Sequence, residues 1–190
     1  MKKLKKALVL LAFGIAVILI REWQMKQLKN QSPQISGTAK LVRVVDGDTI
    51  VVRMEKGDED KVNAEGREGG LGQKIRIIGI DTPESVKPNT PVECFANEAT
   101  AHISELLNAA GKLKIETDPT QDTRDNYGRL LAHVFVDDMN IGQQLIADGY
   151  AYEYTYREPY IYQSEYKAAE KFARANNLGL WSPDTCNGES

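Results

Sequence analysis

The sequence predicts an α+β fold, a five-stranded OB-fold Greek-key β-barrel with about three packed helices, preceded by an N-terminal hydrophobic helix. Three observations predict it. Five short runs are rich in β-branched residues, one helical segment lies between the third and fourth runs, and two more helical segments follow the fifth. The chain has 190 residues, which is enough for one domain with a substantial core.

The first two predicted strands, residues 40–46 and 49–53, form a hairpin because Asp-Gly separates two apolar, β-branched runs. A turn explains Asp46, but it does not explain Asp48, which lies among Val and Ile in the returning strand. Residues 55–73 are rich in Gly, Glu, Asp and Lys, and they predict a long exposed loop. Residues 74–80 form the third strand.

The helix after the third strand has one apolar face, formed at helical spacing by Phe95, Ala99, Ile103, Leu106 and Leu107. Its start has two readings. Thr90 and Glu93 match a capping box, whereas a start at Ala96 or Asn97 fits the pattern equally well. We expect Gly111 to end the helix.

The rest of the chain predicts two strands and then two helices. The strands are expected at residues 112–117 and 130–136, with His133 as a half-exposed strand residue, and the helices at 141–148 and 160–176. Residues 38–184 therefore form the folded domain, and 185–190 form a short C-terminal tail.

The first 23 residues differ from the rest. Several lysines precede an apolar run of 14 residues, 7–20, which is typical of a signal peptide and short for a membrane span. Residues 4–23 reach a spanning length if the lysines extend to the interface. We expect residues 1–23 to be an uncleaved signal anchor that holds the domain outside the cell membrane; a cleaved signal peptide, which would secrete the domain, remains open. Residues 24–37 predict a polar linker.

Charge changes sharply at this linker. Residues 1–35 hold 7 basic and 1 acidic residue of the chain's 24 and 27, which leaves 17 basic and 26 acidic residues, a net charge of −9, for the remainder. A net charge of this sign argues against strong non-specific affinity for nucleic acid.

The two cysteines, Cys94 and Cys186, suggest a disulfide in an exported domain, with two free thiols as the alternative. Neither lies near a histidine in the sequence, so a zinc site is not expected.

Three segments place charged residues where predicted strands end: Asp46-Gly-Asp48-Thr49, Arg76 to Glu84, and Asp125 to Arg129. Each segment alone is equally consistent with turns and surface residues. Together they supply three carboxylates, from Asp48, Asp81 and Glu84, and two guanidiniums, from Arg76 and Arg129. Carboxylates suit Ca²⁺ or Mg²⁺, and guanidiniums suit phosphate, so the combination fits phosphodiester chemistry.

Arg76 and Asp81 can meet only if the chain bends between them. In a straight strand Arg76 and Asp81 point to opposite faces and lie about 17 Å apart. We therefore predict a departure from regular strand geometry at Gly79.

These three segments resemble the staphylococcal nuclease family, in the same order, and the resemblance runs from about Lys40 to Trp181. It implies a calcium-dependent nuclease of DNA or RNA on an OB-fold barrel, leaving 3′-phosphate ends. By position, Asp48 and Asp81 would supply carboxylates to Ca²⁺, and Thr82 its backbone carbonyl.

The resemblance also implies roles in catalysis and substrate binding. Glu84 would be the general base or the group that orients the attacking water, and Arg76 and Arg129 would bind the scissile phosphate. Tyr127 would contact the terminal phosphate region of the nucleotide, and Tyr154 and Tyr156 would line its base-binding side. The alternative for the last two is that tyrosines at 150, 152, 154 and 156 alternate between core and surface.

A second function stays open, because the same fold also occurs as a non-catalytic OB-fold nucleic-acid-binding module. The retained carboxylates and arginines favour the enzyme. Two features depart from the family's type enzyme: the 55–73 loop is longer, and the domain is acidic rather than basic. We expect a nucleic-acid substrate, a membrane contact through the N-terminal helix, and no protein partner.

Overall fold

The computed structural model describes residue 20 and residues 35–55, 72–86, 91–108 and 110–189. The predicted N-terminal helix, most of the linker and most of the 55–73 loop lie outside these residues. Within the described part of the chain, no helix is both long and apolar enough to cross a bilayer.

The described residues form a closed β-barrel with helices packed against it. Its sheet runs β3-β2-β1-β5-β6-β7, and a parallel pairing of β3 with β6 closes a ring of five strands. The strands are β1 (Ser36–Asp46), β2 (Thr49–Met54), β3 (Gln73–Ile77), β4 (Ile80–Asp81), β5 (Leu113–Glu116), β6 (Leu130–Val136), β7 (Met139–Asn140) and β8 (Tyr152–Glu153). The predicted α+β barrel is confirmed; the two-residue strands β4, β7 and β8 were not predicted.

Three helices pack against this barrel in the part of the chain described above: α1 (Ala96–Asn108), α2 (Ile141–Ala147) and α3 (Gln163–Ala175), with a 3₁₀ turn at Gly179–Trp181. The start of α1 at Ala96 selects the second of the two predicted starts. The capping-box reading was wrong, because Glu93 instead accepts a hydrogen bond from the backbone N–H of Glu84. Thr90 lies outside the described residues.

The core fills the barrel interior. The inward residues of β2, β3 and α1 are fully buried; they include Ile50, Val52, Ile75, Ile103 and Leu107. Each such side chain contributes about 1.5–3 kcal/mol when it leaves water. The opposite face of these strands carries Thr49 and Val51 of β2, both buried, and Lys74 and Arg76 of β3, and the site lies at the end where Thr49 pairs with Arg76.

The predicted bend at Gly79 is present. Strand β3 ends at Ile77, Gly79 has a φ of 82°, and the chain then enters β4, which pairs with β8. A Cβ at Gly79 would lie 2.5 Å from the Tyr160 ring, so only glycine fits both the backbone angle and the contact. The bend returns Asp81 to the side of the sheet that carries Arg76.

Two further features secure the helices. A disulfide joins Cys94, two residues before α1, to Cys186 near the C-terminus, which is the predicted pairing. His133, predicted to be half-exposed, is instead fully buried and lies 3.1 Å from the Asp118 carboxylate. The prediction failed because the helix α3 side chain Tyr166 packs over that face of β6.

Candidate active site

Arg76 is the centre of a charged cluster on the barrel rim. Its guanidinium forms ion pairs with Asp48 and with Asp81, the latter at 2.7 Å, and it donates a hydrogen bond to the backbone carbonyl of Ile80 at 3.2 Å. Asp48 lies in the hairpin turn directly before β2, whereas Asp81 reaches the cluster through the Gly79 bend. The fold therefore joins two carboxylates that are 33 residues apart through one cation.

Asp48 is held in a polar niche in which only 5% of its surface is exposed. Its carboxylate accepts hydrogen bonds from the Thr49 hydroxyl at 2.8 Å and from the Thr82 hydroxyl at 3.4 Å. Gly47 allows this approach, because a Cβ there would lie 2.6 Å from the Thr82 hydroxyl. A buried carboxylate needs such partners, and this niche supplies them.

Arg76 is largely buried as well. Burial lowers the pKa of its guanidinium, and the hydrogen bond and charge of Asp81 oppose that shift. An arginine remains protonated under these conditions, so the rim keeps one fixed positive charge at its centre.

Arg129 brings the second guanidinium to the same rim. Its Nε donates to the Asp125 carboxylate at 2.6 Å, and its Nη1 donates to the Thr49 hydroxyl at 3.4 Å. Because Thr49 donates in turn to Asp48, a continuous chain of hydrogen bonds connects Arg129 to Asp48. Asp125 also accepts from the backbone N–H of Arg129, so one carboxylate fixes both the backbone and the side chain of this arginine.

The cluster carries more negative than positive charge. Asp46 is buried and is satisfied by hydroxyls, Ser85 at 2.7 Å and Thr100 at 3.3 Å, rather than by a cation. Four carboxylates, those of Asp46, Asp48, Asp81 and Asp125, thus surround two guanidiniums, an excess of two negative charges. Nevertheless, the described residues contain no group of three or more His, Cys, Asp or Glu side chains placed to hold a metal ion.

Glu84 lies beside the cluster without joining its hydrogen bonds. Its carboxylate accepts a hydrogen bond from the backbone N–H of Val86 at 2.9 Å. Its backbone forms a two-way contact with Glu93: the Glu84 N–H donates to the Glu93 carboxylate at 2.7 Å, and the Glu93 N–H donates to the Glu84 carbonyl at 3.1 Å. Glu93, adjacent to the disulfide, therefore holds the segment that carries Glu84.

Exposed tyrosines flank the cluster. Tyr127 is 85% exposed, and the Arg129 guanidinium lies 5.4 Å from its ring centre. Tyr154 and Tyr156 are 44% and 63% exposed with ring centres 6.4 Å apart, and the backbone N–H of Tyr154 donates to the Gly79 carbonyl. This tyrosine segment is thus tied to the bend that places Asp81.

The structure joins four of the predicted side chains, Asp48, Asp81, Arg76 and Arg129, and adds Thr82 through its hydroxyl. Sequence reasoning missed the roles of Asp125 and Glu93. Asp125 had a signal, since an aspartate four residues before Arg129 in a glycine-containing turn is typical of a side chain that bonds nearby backbone N–H groups. Glu93 was assigned to a cap that does not form.

A closed five-stranded α+β barrel whose rim holds two arginines among carboxylates defines an OB-fold protein with a charged cluster at the barrel rim. A family model described as staphylococcal nuclease homologue matches residues 74–183. The chain is 34% identical over 188 residues to a thermonuclease of Staphylococcus hyicus, covering 96% of this chain and 99% of that protein.

Two further relatives agree. A thermonuclease of Staphylococcus intermedius is 32% identical over 184 residues, covering 95% of this chain and 99% of that protein. Endonuclease YncB of Bacillus subtilis is 34% identical over 167 residues, covering 85% and 72%. The chain belongs to the staphylococcal nuclease family.

Proposed function

We propose that this chain is an endonuclease that hydrolyses phosphodiester bonds of DNA or RNA with the help of Ca²⁺ and leaves 3′-phosphate ends. The observation that carries the proposal is the rim cluster, in which Arg76 and Arg129 are both oriented by carboxylates and linked through Thr49. Its relatives named thermonuclease and endonuclease support the same activity.

The two arginines bind the scissile phosphate. A phosphodiester gains negative charge on its oxygens at the transition state, and fixed guanidiniums stabilise that charge without reorganising. The Nε of Arg129 donates a hydrogen bond to Asp125 and its Nη1 donates one to Thr49. Its Nη2 is therefore available to donate to a phosphate oxygen. Asp125 thus acts as a positioning residue for Arg129.

Calcium fits the donor chemistry of this rim. The side chains of Asp48 and Asp81 and the backbone carbonyl of Thr82 would hold it, since Ca²⁺ prefers carboxylate and carbonyl oxygens and completes its shell with water. When bound, the ion supplies positive charge against the phosphate oxygens.

Glu84 accepts a proton from the attacking water, or orients that water. Its carboxylate is half-exposed, and its single contact to Val86 N–H leaves acceptor sites for water. Glu93 holds its backbone in place. Tyr127 contacts the terminal phosphate of the nucleotide. Tyr154 and Tyr156 line the base-binding side with exposed rings, and such rings stack on bases without strong sequence preference.

We also propose that the domain works outside the cytoplasm, held at the membrane by residues 1–23 or secreted if that segment is cleaved. The disulfide between Cys94 and Cys186 supports export, because such bonds persist in oxidising compartments. N-terminal sequencing of the mature protein separates the two routes.

The test is digestion of single-stranded DNA and of RNA by the full chain, with Ca²⁺ and then with a chelator. The proposal expects cleavage that the chelator abolishes, and product ends that mass spectrometry identifies as 3′-phosphates. Equal cleavage in both conditions would reject the metal's role. Tight binding without cleavage in either condition would support the non-catalytic binding module instead.

A further inference from the structure

The hydroxyl of Tyr160 lies behind the bend that carries Asp81, and it takes no part in the proposed chemistry. Only 4% of the surface of Tyr160 is exposed, and its ring packs against Gly79. The hydroxyl donates a hydrogen bond that two acceptors share, the backbone carbonyl of Gly79 at 3.2 Å and the carboxylate of Glu153 at 3.0 Å. This side chain therefore joins the bend to strand β8.

The same carbonyl holds the tyrosine segment, which carries Tyr154 and Tyr156. The Gly79 carbonyl accepts a second hydrogen bond, from the backbone N–H of Tyr154 at 3.0 Å. Next to this contact, β4 and β8 pair Asp81 with Tyr152. Since β8 runs directly into the tyrosine segment, one carbonyl and one short ladder connect that segment with Asp81.

The tyrosine segment presents two different sides. Tyr154 and Tyr156 are exposed, whereas Glu153 and Thr155, which alternate with them, are half-buried. On the half-buried side the Thr155 hydroxyl donates to the Glu153 carboxylate at 2.6 Å, and the Gln163 side chain on α3 donates to the Thr155 hydroxyl at 2.6 Å. These hydrogen bonds fasten the segment to α3 and leave its two rings exposed.

Tyr160 is itself held in place. The backbone N–H of the next residue, Ile161, donates to the Asp118 carboxylate at 2.7 Å, and the Tyr160 ring meets the Tyr166 ring edge to face with ring centres 5.2 Å apart. Burial and the charge of Glu153 raise the pKa of the Tyr160 hydroxyl, so it stays protonated and remains a donor at neutral pH. A donor fixed in this way can transmit the position of one segment to another.

The bend also reaches Arg76. The guanidinium of Arg76 donates to the backbone carbonyl of Ile80 at 3.2 Å and to the Asp81 carboxylate at 2.7 Å, and both acceptors follow Gly79 directly in the chain. A displacement of the bend would therefore move two contacts of Arg76 at once. Small displacements matter at such a site, since a misplacement of about 1 Å can cost about 10²-fold in rate.

We propose that the Tyr160 hydroxyl is a positioning group that couples the tyrosine segment to the bend at Gly79, so that a base bound on the exposed rings raises kcat as well as affinity. The base restrains the segment, the segment restrains the bend, and the bend keeps Asp81 against Arg76. Binding energy from a part of the substrate that does not react thus orients the reacting groups. The coupling rests on the proposed nuclease function and deepens it, because it names the base as the part of the substrate on which turnover depends.

Tyr160→Phe tests the coupling, because it keeps the ring and removes only the hydroxyl. Both acceptors keep another donor in this variant: the Gly79 carbonyl keeps the N–H of Tyr154, and the Glu153 carboxylate keeps the hydroxyl of Thr155. No buried acceptor is left without a partner, so we expect the variant to fold.

Tyr166→Phe is the matched control. Tyr166 is also fully buried, and its hydroxyl donates to Asn140 at 2.7 Å and lies 3.4 Å from a ring nitrogen of His133. None of these residues belongs to the bend or to the tyrosine segment. Both variants thus lose one buried tyrosine hydroxyl, and urea unfolding verifies that both are folded.

The substrates are a 5′-phosphorylated thymidine dinucleotide, which has a single phosphodiester bond, and two analogues in which one or the other base is replaced by hydrogen. The coupling predicts that loss of one of the two bases lowers kcat of the wild-type chain about fivefold in Ca²⁺, the effect that one hydrogen bond of ordinary strength can carry. Tyr160→Phe should lower kcat for the complete dinucleotide by the same factor and leave kcat for that analogue unchanged. Tyr166→Phe should keep the effect of the base.

A purely structural role of the hydroxyl gives a different pattern. If Tyr160→Phe lowers kcat equally for all three substrates or for none, or if neither base affects kcat in the wild-type chain, the coupling is wrong and the nuclease assignment stands. If the wild-type chain cleaves no nucleic acid, the nuclease assignment fails.

Amide hydrogen exchange then tests the coupling alone, with thymidine 5′-monophosphate, which contains no phosphodiester bond. The nucleotide should slow exchange at residues 80–82 in the wild-type chain and not in Tyr160→Phe. The same change in both proteins, or no change in either, would overturn the coupling.

Discussion

Arg129→Lys separates the catalytic role of Arg129 from its structural role. The guanidinium uses Nε for Asp125 and Nη1 for Thr49, and both contacts depend on its planar fork. A lysine keeps the charge but has one compact ammonium, so it cannot make both contacts and also face a phosphate. The substitution therefore preserves net charge while removing the orientation on which the account relies.

The magnitude follows from the contacts. Loss of one preorganised charge donor at a transition state costs about 2.7–4 kcal/mol, so kcat/KM should fall about 10²- to 10³-fold. The free energy of unfolding should change by only about 1 kcal/mol, because one partly exposed ion pair and one long hydrogen bond are lost. Activity and stability should thus respond very differently.

The assay measures single-stranded DNA cleavage in Ca²⁺ together with urea unfolding. Arg174→Lys is the matched control, because Arg174 also pairs with a carboxylate four residues earlier, Glu170, and also lies over an aromatic ring, that of Trp181. It should keep wild-type kcat/KM. The reasoning is refuted if Arg129→Lys retains activity within threefold of Arg174→Lys while its unfolding free energy stays near that of the wild type.

Three other predictions concern stability and are measured by urea unfolding. Replacing both cysteines, Cys94 and Cys186, with alanine should lower the free energy of unfolding by about 4–5 kcal/mol, because the disulfide closes a loop of 92 residues; a change under 1 kcal/mol would contradict this. Gly79→Ala should cost at least about 2–3 kcal/mol, since its φ is positive and the new Cβ meets the Tyr160 ring; a neutral effect would show that the bend tolerates a side chain. Burial alone would raise the pKa of Asp118, but its hydrogen bonds, above all the one with His133, outweigh burial and hold that pKa below its usual range. The Asp118 carboxylate therefore stabilises the fold at neutral pH, and this stabilisation is lost as the pH falls below about 4. Asp118→Asn should remove this part of the acid sensitivity, and an unchanged pH profile would exclude it.

Local sequence signals were sufficient for the barrel and for the bend. The Asp-Gly pair between two apolar runs predicted the β1–β2 hairpin. Gly79 predicted the bend, because the chain must turn between Arg76 and Asp81 if these two side chains are to meet. Strands β4 and β8 were not predicted, because a strand of two residues is too short to show an alternating pattern.

Contacts between distant segments were not predictable. No sequence pattern near Glu93 indicates that its carboxylate accepts a hydrogen bond from the backbone N–H of Glu84 instead of capping its own helix. Likewise His133 alternates as a surface residue would, but the rings of Tyr162 and Tyr166 cover it beside Asp118. Such pairs depend on tertiary packing, which overrides local pattern.

The most direct test of the account is the rate at which Asp48→Asn cleaves single-stranded DNA in Ca²⁺, compared with the wild-type chain. The substitution keeps the size of the side chain and one acceptor oxygen for Thr49, but it removes the charge that faces Arg76. The account predicts a fall on the order of 10³-fold in folded protein. Cleavage within threefold of the wild-type rate would show that the rim cluster is not the active site.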